Sequence, residues 1–192
     1  MFGQVFTPLA SRLCTFPFLN AHKMSEEHFD VISGMFAERV SNPLAWFKHS
    51  RSLLAAARST RERASVLIDP WEKIDLEHVA TMLYGFCIEN LFKAIWTLRK
   101  FGPPYRDEWS PVAAFPVELK THDLVRLAKL IDEDLFEKYE LSLSLLSEAA
   151  TWSGRYPCSL KGDEGSIFRM PQVSDDAEAI FKQYSRPFTT IS

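Results

Sequence analysis

Five side chains in this sequence are of types that suit a phosphate-bearing ligand: Arg155, Tyr156 and His122, with Lys48 and Arg51 in support. A guanidinium can clamp phosphate through paired N–H donors, an imidazole can carry a proton near neutral pH, and a phenol ring can stack on a base. In any chemistry at such a site, His122 is the candidate proton carrier and Arg155 the candidate phosphate clamp. Each also has a plainer role open to it. His122 would lie in the first turn of a helix, and Arg155 would neutralise carbonyls at a helix C-terminus.

Three polar residues interrupt an apolar run: Glu89, Asn90 and Lys93. They can line a pocket inside the protein. Alternatively, Glu89 pairs with Lys93 four residues on, and Asn90 fills a buried hydrogen bond that fixes helix register. Lys48, Arg51, Arg58 and Arg61 share one helical face, within an arc of about 140°. Such a stripe can track a nucleic-acid backbone, meet an acidic partner protein, or simply face water.

Other chemistries lack their residues. The sequence has no phosphate-cradling glycine loop and no GxSxG elbow. No His, Cys and carboxylate set has structural-metal spacing. Di-iron bundles need a Glu-x-x-His pair from each of two helices, and Asp75-Leu76-Glu77-His78 is the single near match. No cofactor or metal is expected. Cys14, Cys87 and Cys158 are far apart and odd in number, which reads as free thiols in a reducing compartment, with Cys87 in the core.

The elements that must position these residues are helical. Phe29, Ile32, Phe36 and Val40 follow a capping Ser25 at helical spacing, and Pro43 ends that helix. A second helix is predicted from Leu44 to about Val66, stopped by Asp69 and Pro70. The third runs from about Asp75 to Phe101. Its regular stripe is Leu76, Val79, Leu83, Phe86, Asn90, Ala94, Leu98 and Phe101, while Ile88, Phe92, Ile95 and Trp96 lie on its other faces. A helix apolar nearly all round is buried on several sides, so this one is the expected centre.

Gly102, Pro103 and Pro104 end the third helix and open a loop to residue 120 that carries four prolines. Thr121 is expected to cap a short helix facing Leu124, Leu127, Ala128 and Ile131 inward. Another helix follows from about Leu135 to Ser153, ended by Gly154. Ser174 is expected to cap a last helix carrying Ile180, Phe181 and Tyr184. With neighbours antiparallel, the first turns after the proline loop and the end near Gly154 gather at one end of the molecule, with Lys48, His49 and Arg51.

Three runs carry a resemblance to a known family. Tyr84-Gly85-Phe86-Cys87-Ile88-Glu89-Asn90-Leu91-Phe92-Lys93-Ala94 resembles the central helix of HEPN-type domains. Thr121-His122-Asp123-Leu124-Val125-Arg126-Leu127 resembles the opening of their next helix. Thr151-Trp152-Ser153-Gly154-Arg155-Tyr156-Pro157 resembles the ending of some bacterial members. The resemblance spans residues 75–160 and implies a bundle of four or five helices, often dimeric. Members of that family cut RNA, bind nucleotides, or act as toxins beside a nucleotidyltransferase antitoxin. The cutting members carry an arginine followed by four to six residues and then a histidine. None of the histidines here, at 22, 28, 49, 78 and 122, follows an arginine at that spacing.

The expectation is an all-α protein: an antiparallel bundle of four to five main helices around a central apolar helix, with N-terminal and C-terminal helices added. Residues 1–23 form an arm and residues 24–192 one HEPN-like domain. Its 46% hydrophobic and 24% charged residues are those of a globular protein, and a net charge of −3 argues against coating nucleic acid by bulk charge. The expected function is binding of nucleotide or RNA without the family's usual cleavage. The alternatives are a non-enzymatic interaction or dimerisation module, in which the arm or the last helix covers a partner protein, and a divergent endoribonuclease toxin. No run is long enough to span a bilayer, and the start lacks a continuous signal-peptide core. A cytoplasmic homodimer is expected.

Overall fold

A computed structural model describes residues 26–107, 109–153, 155–156 and 171–189. The expected arm at 1–23, the capping Ser25, and Gly154, Cys14 and Cys158 lie outside them. Within them the chain is all-α, with seven α-helices and no strand.

Helix α1 (Glu26–Ser41) hands over to α2 (Pro43–Ser65) at Asn42, whose side chain accepts from the Leu44 amide at 2.9 Å while Pro43 takes the first helical position. On α2, Phe47, Ser50, Leu54, Ala57 and Ala64 are buried. That spacing of three and four makes a narrow seam, and it faces α3.

Helix α3 spans Pro70–Phe101 and begins five residues before the predicted start. Asp69 and Pro70 were expected to stop α2. They start α3 instead: the Asp69 side chain accepts from the Trp71 and Glu72 amides at 2.8 and 3.0 Å, and Pro70 needs no amide partner there. The helix packs against α2, α4, α5 and α6, as a central helix must. Its most buried face differs from the predicted stripe. Ala80, Tyr84, Cys87, Ile88, Leu91, Phe92 and Ile95 are buried, whereas Leu76, Val79, Leu83, Phe86 and Leu98 are half-buried. A helix apolar on nearly every side does not announce which side faces the centre.

At Gly85 the backbones of α3 and α5 pass close to each other. A Cβ there would sit 2.6 Å from the Leu146 carbonyl oxygen and 3.1 Å from the Ala150 Cβ. Gly102 ends α3 at φ 76°, a backbone setting that favours glycine.

The proline-rich segment returns through a short 3-10 turn at Val117–Leu119 to α4 (Leu124–Ile131). The cap of α4 is Asp123, which accepts from the Arg126 amide at 3.0 Å, and not the predicted Thr121. Thr121 instead accepts from the Asp123 amide at 3.1 Å, one step earlier. His122 therefore precedes the helix and does not lie in its first turn.

Asp132 joins α4 to α5 (Glu133–Glu148), which bends at Tyr139 and passes into a π-helical turn at Ala149–Ser153. The Asp132 carboxylate accepts from the α5 amides of Asp134 and Leu135 and from the Tyr184 hydroxyl at 2.5 Å. The Arg99 guanidinium donates to the Ile131 carbonyl beside it. The Tyr184 contact holds the Asp132 carboxyl below the usual carboxylate range.

Helix α6 is Pro171–Tyr184 and α7 is Arg186–Thr189. Ser174 is buried inside α6, so it does not cap the helix as expected. Val173, Ala177 and Ile180 face the core, and Phe188 of α7 stacks on Phe47 at 4.4 Å between centroids. Phe181 also stacks on Phe47, and Tyr184 is bound to Asp132. Both of these side chains close the chain's own core, where the sequence had offered them to a partner. Among the described residues no helix is long and apolar enough to cross a membrane.

Candidate functional site

The polar residues of α3 lie on successive turns. Glu89, Lys93 and Thr97 follow at intervals of four residues, so they form a row along one side of the helix. All three are buried. Lys93 Nζ donates to Glu89 Oε1 at 2.7 Å and lies 5.6 Å from the centroid of the Trp46 ring on α2. The other carboxylate oxygen, Glu89 Oε2, lies 2.9 Å from His122 Nδ1. A carboxylate only accepts, so Nδ1 carries the proton in that bond and Nε2 is the free ring nitrogen.

The three side chains differ sharply in exposure. Those of Glu89 and Lys93 are each 6% exposed, whereas that of His122 is 73% exposed. The arrangement is an ion pair inside the bundle with an imidazole attached at the surface. The backbone that follows His122 is pinned twice. Asp123 caps α4, and the Leu124 amide donates to Ser147 Oγ on α5 at 2.9 Å. Trp46 closes the other side: its indole donates to the Val40 carbonyl at 3.1 Å, and its ring meets Phe115 edge-on at 6.0 Å.

Replacing a buried ion pair by apolar residues of similar volume is often neutral or stabilising. Glu89 and Lys93 therefore have a weak claim as stability devices. What they achieve is a fixed, oriented imidazole, with a neutralised carboxylate behind it. Such a ring can bind an anion when protonated, and it can give or take a proton at Nε2.

The predicted site residues divide in two. His122 joins Glu89 and Lys93, which the sequence had placed in a separate polar core. Asn90 is half-buried and donates to the Phe86 carbonyl of its own helix at 2.8 Å. Among the described residues it makes no cross-helix hydrogen bond of the kind expected to fix register. Arg155 and Tyr156 are exposed, and both amides donate to the Trp152 carbonyl at 2.8 Å. The Arg155 guanidinium lies 5.6 Å from the ring of Tyr156 next to it. Among the described residues no hydrogen bond or ion pair joins Arg155 to His122. Lys48 and Arg51 are exposed and form no ion pair among the described residues.

The basic stripe is not continuous. Arg58 makes two bonds to Glu178 of α6, at 2.8 and 2.6 Å, and Arg61 meets Asp175 at 2.8 Å. Tyr84 of α3 donates to Glu178 at 2.9 Å. The Arg58 guanidinium holds the Glu178 carboxyl below the usual range. Burial, with the carboxylate beside it, pushes the Tyr84 hydroxyl up to about 12. Burial likewise pushes the Cys87 thiol up to about 12, which makes it an inert core residue. Thr97 Oγ1 and Trp109 Nε1 are buried without a hydrogen-bond partner among the described residues. Among the described residues there is also no group of three or more His, Cys, Asp or Glu able to hold a metal.

Sequence reasoning missed Trp46, Ser147 and the Glu89–His122 bond itself. The two bonded residues are 33 positions apart, and no local spacing links them. A comparison with protein-family models, curated proteins and solved structures finds no match for this chain.

Proposed function

We propose that this chain is a HEPN-like helical bundle that binds the phosphate of an RNA or nucleotide at its loop-rich end, with His122 as the side chain that meets it. The observation that supports this reading is the Glu89 carboxylate, buried and paired with Lys93, accepting from His122 Nδ1 at 2.9 Å. A buried pair of this kind adds little to stability, yet it holds an exposed imidazole in one tautomer and one orientation. Lys48, Arg51 and Arg155 are exposed cations that supply further phosphate contacts in this reading.

The test is binding of a mixed labelled RNA pool, and of labelled ATP, at low and high salt. His122→Ala is expected to weaken binding about tenfold or more, the size of a lost hydrogen bond to a charged group. Arg155→Ala is expected to weaken it as well and to flatten its salt dependence. Binding by neither ligand, with well-folded protein, would reject the reading.

A second reading has its own observation. The Nδ1–carboxylate bond leaves Nε2 facing outward, as an acid–base histidine requires. RNA that is cut by wild-type protein, and left intact by both His122→Ala and Glu89→Gln, would make the chain a divergent endoribonuclease.

A further inference from the structure

A histidine can act as a nucleophile as well as a proton carrier. That role needs a ring nitrogen with a free lone pair, open to approach. It also gains from a partner on the other nitrogen that favours the positive charge the ring takes up on attack. His122 meets each requirement. Its Nδ1 donates to Glu89 Oε2 at 2.9 Å, which leaves the lone pair on Nε2. Its side chain is 73% exposed, while that of Glu89 is 6% exposed. Lys93 Nζ, at 2.7 Å, orients the carboxylate from its other oxygen. Nucleophile, carboxylate and orienting group therefore form a chain of three.

The same bond selects one nitrogen. An imidazole free in water offers both, whereas Glu89 occupies Nδ1 here. It also restricts the electrophile. A carboxylate accepts a proton and has none to give, so the leaving group must depart without one.

The geometry points to Nε2 of His122 as a site of covalent phosphorylation, filled by a small phosphoryl donor of the acyl-phosphate or phosphoramidate class. The Nε2 lone pair attacks phosphorus and forms the N–P bond. The bond from phosphorus to the leaving group breaks, and its electron pair departs with the carboxylate or with ammonia. Nδ1 keeps its proton throughout. The ring becomes an N-phosphoryl imidazolium, whose positive charge faces the Glu89 carboxylate. This step rests on the reading of His122 as the side chain that meets phosphate, and it adds bond formation to that reading.

The test is incubation of the full chain with phosphoramidate, with mass spectrometry to find the residue and phosphorus NMR to find the nitrogen. Exposed His49 on α2 is the internal standard. His122 is expected to be phosphorylated at Nε2 alone, and about tenfold or more faster than His49. Glu89→Gln is expected to bring its rate down to that of His49. So is Glu89→Met/Lys93→Leu, which strands no buried charge if the single variant fails to fold. The proposal is overturned if His122 reacts no faster than His49, if the phosphoryl group sits on Nδ1, or if the folded variants keep the wild-type rate. RNA binding is measured on the same samples. Binding without fast phosphorylation of His122 overturns this proposal alone, whereas fast phosphorylation without binding supports it and rejects the RNA reading.

Discussion

Two charged networks sit on opposite faces of α3, and they are built on opposite principles. Arg58, Arg61, Glu178 and Asp175 are partly or largely exposed, and with Tyr84 they fasten α6 onto α2 and α3. Glu89 and Lys93 are buried and belong to one helix. Beyond that helix, among the described residues, their hydrogen bonding reaches only His122, an exposed side chain on a loop. The first network is architecture, whose contribution is modest because water screens it. The second serves poorly as architecture, since desolvation offsets most of its attraction. It makes sense as the mounting of an imidazole.

Breaking each network should separate them clearly. Glu89→Ala leaves an ammonium buried without its carboxylate, and a loss of about 3–5 kcal/mol is expected in chemical unfolding. Arg58→Ala removes a largely exposed partner, and its loss should stay below about 1 kcal/mol. Equal losses would end the distinction. Gly85→Ala tests the close approach that brings α3 beside α5, from which Ser147 pins the His122 loop. Its new Cβ meets the Leu146 backbone, so a loss of about 1–3 kcal/mol is expected.

The outer network gives a pH test. Arg58 depresses the Glu178 carboxyl, so that group binds its proton less readily in the folded chain than in the unfolded one. Its stabilisation is present above the ordinary glutamate value of about 4.3 and is lost as pH falls through the lower folded value. Glu178→Gln should therefore lower stability at neutral pH, by less than about 1 kcal/mol, and reduce the further loss on acidification. An unchanged acid profile would remove Glu178 from that role. The smallest effect on stability is expected for His122→Ala, within about 0.5 kcal/mol, because the side chain is exposed. A large loss there would mean that the imidazole is itself a structural clasp.

The sequence showed parts of this division and hid others. The i, i+4 spacing made the Glu89–Lys93 pair legible. The start of α3 was misplaced because Asp-Pro reads equally as a stop and as a cap with proline at the first position. The bond from His122 to Glu89 depends on how the 102–123 segment returns along α3, and no local spacing encodes that path. The fate of the basic stripe was hidden for the same reason. Glu178 lies 120 positions after Arg58 and reaches it only through the packing of Ala177 and Ile180.

The most direct measurement replaces the buried pair as a unit. Glu89→Met/Lys93→Leu keeps side-chain volume and removes both charges, so the bundle should unfold at the same denaturant concentration as wild type or at a higher one. Measured on that same protein, RNA and nucleotide binding is expected to fall about as far as in His122→Ala. Wild-type binding by a stable double variant would contradict the claim that this pair exists to hold the imidazole.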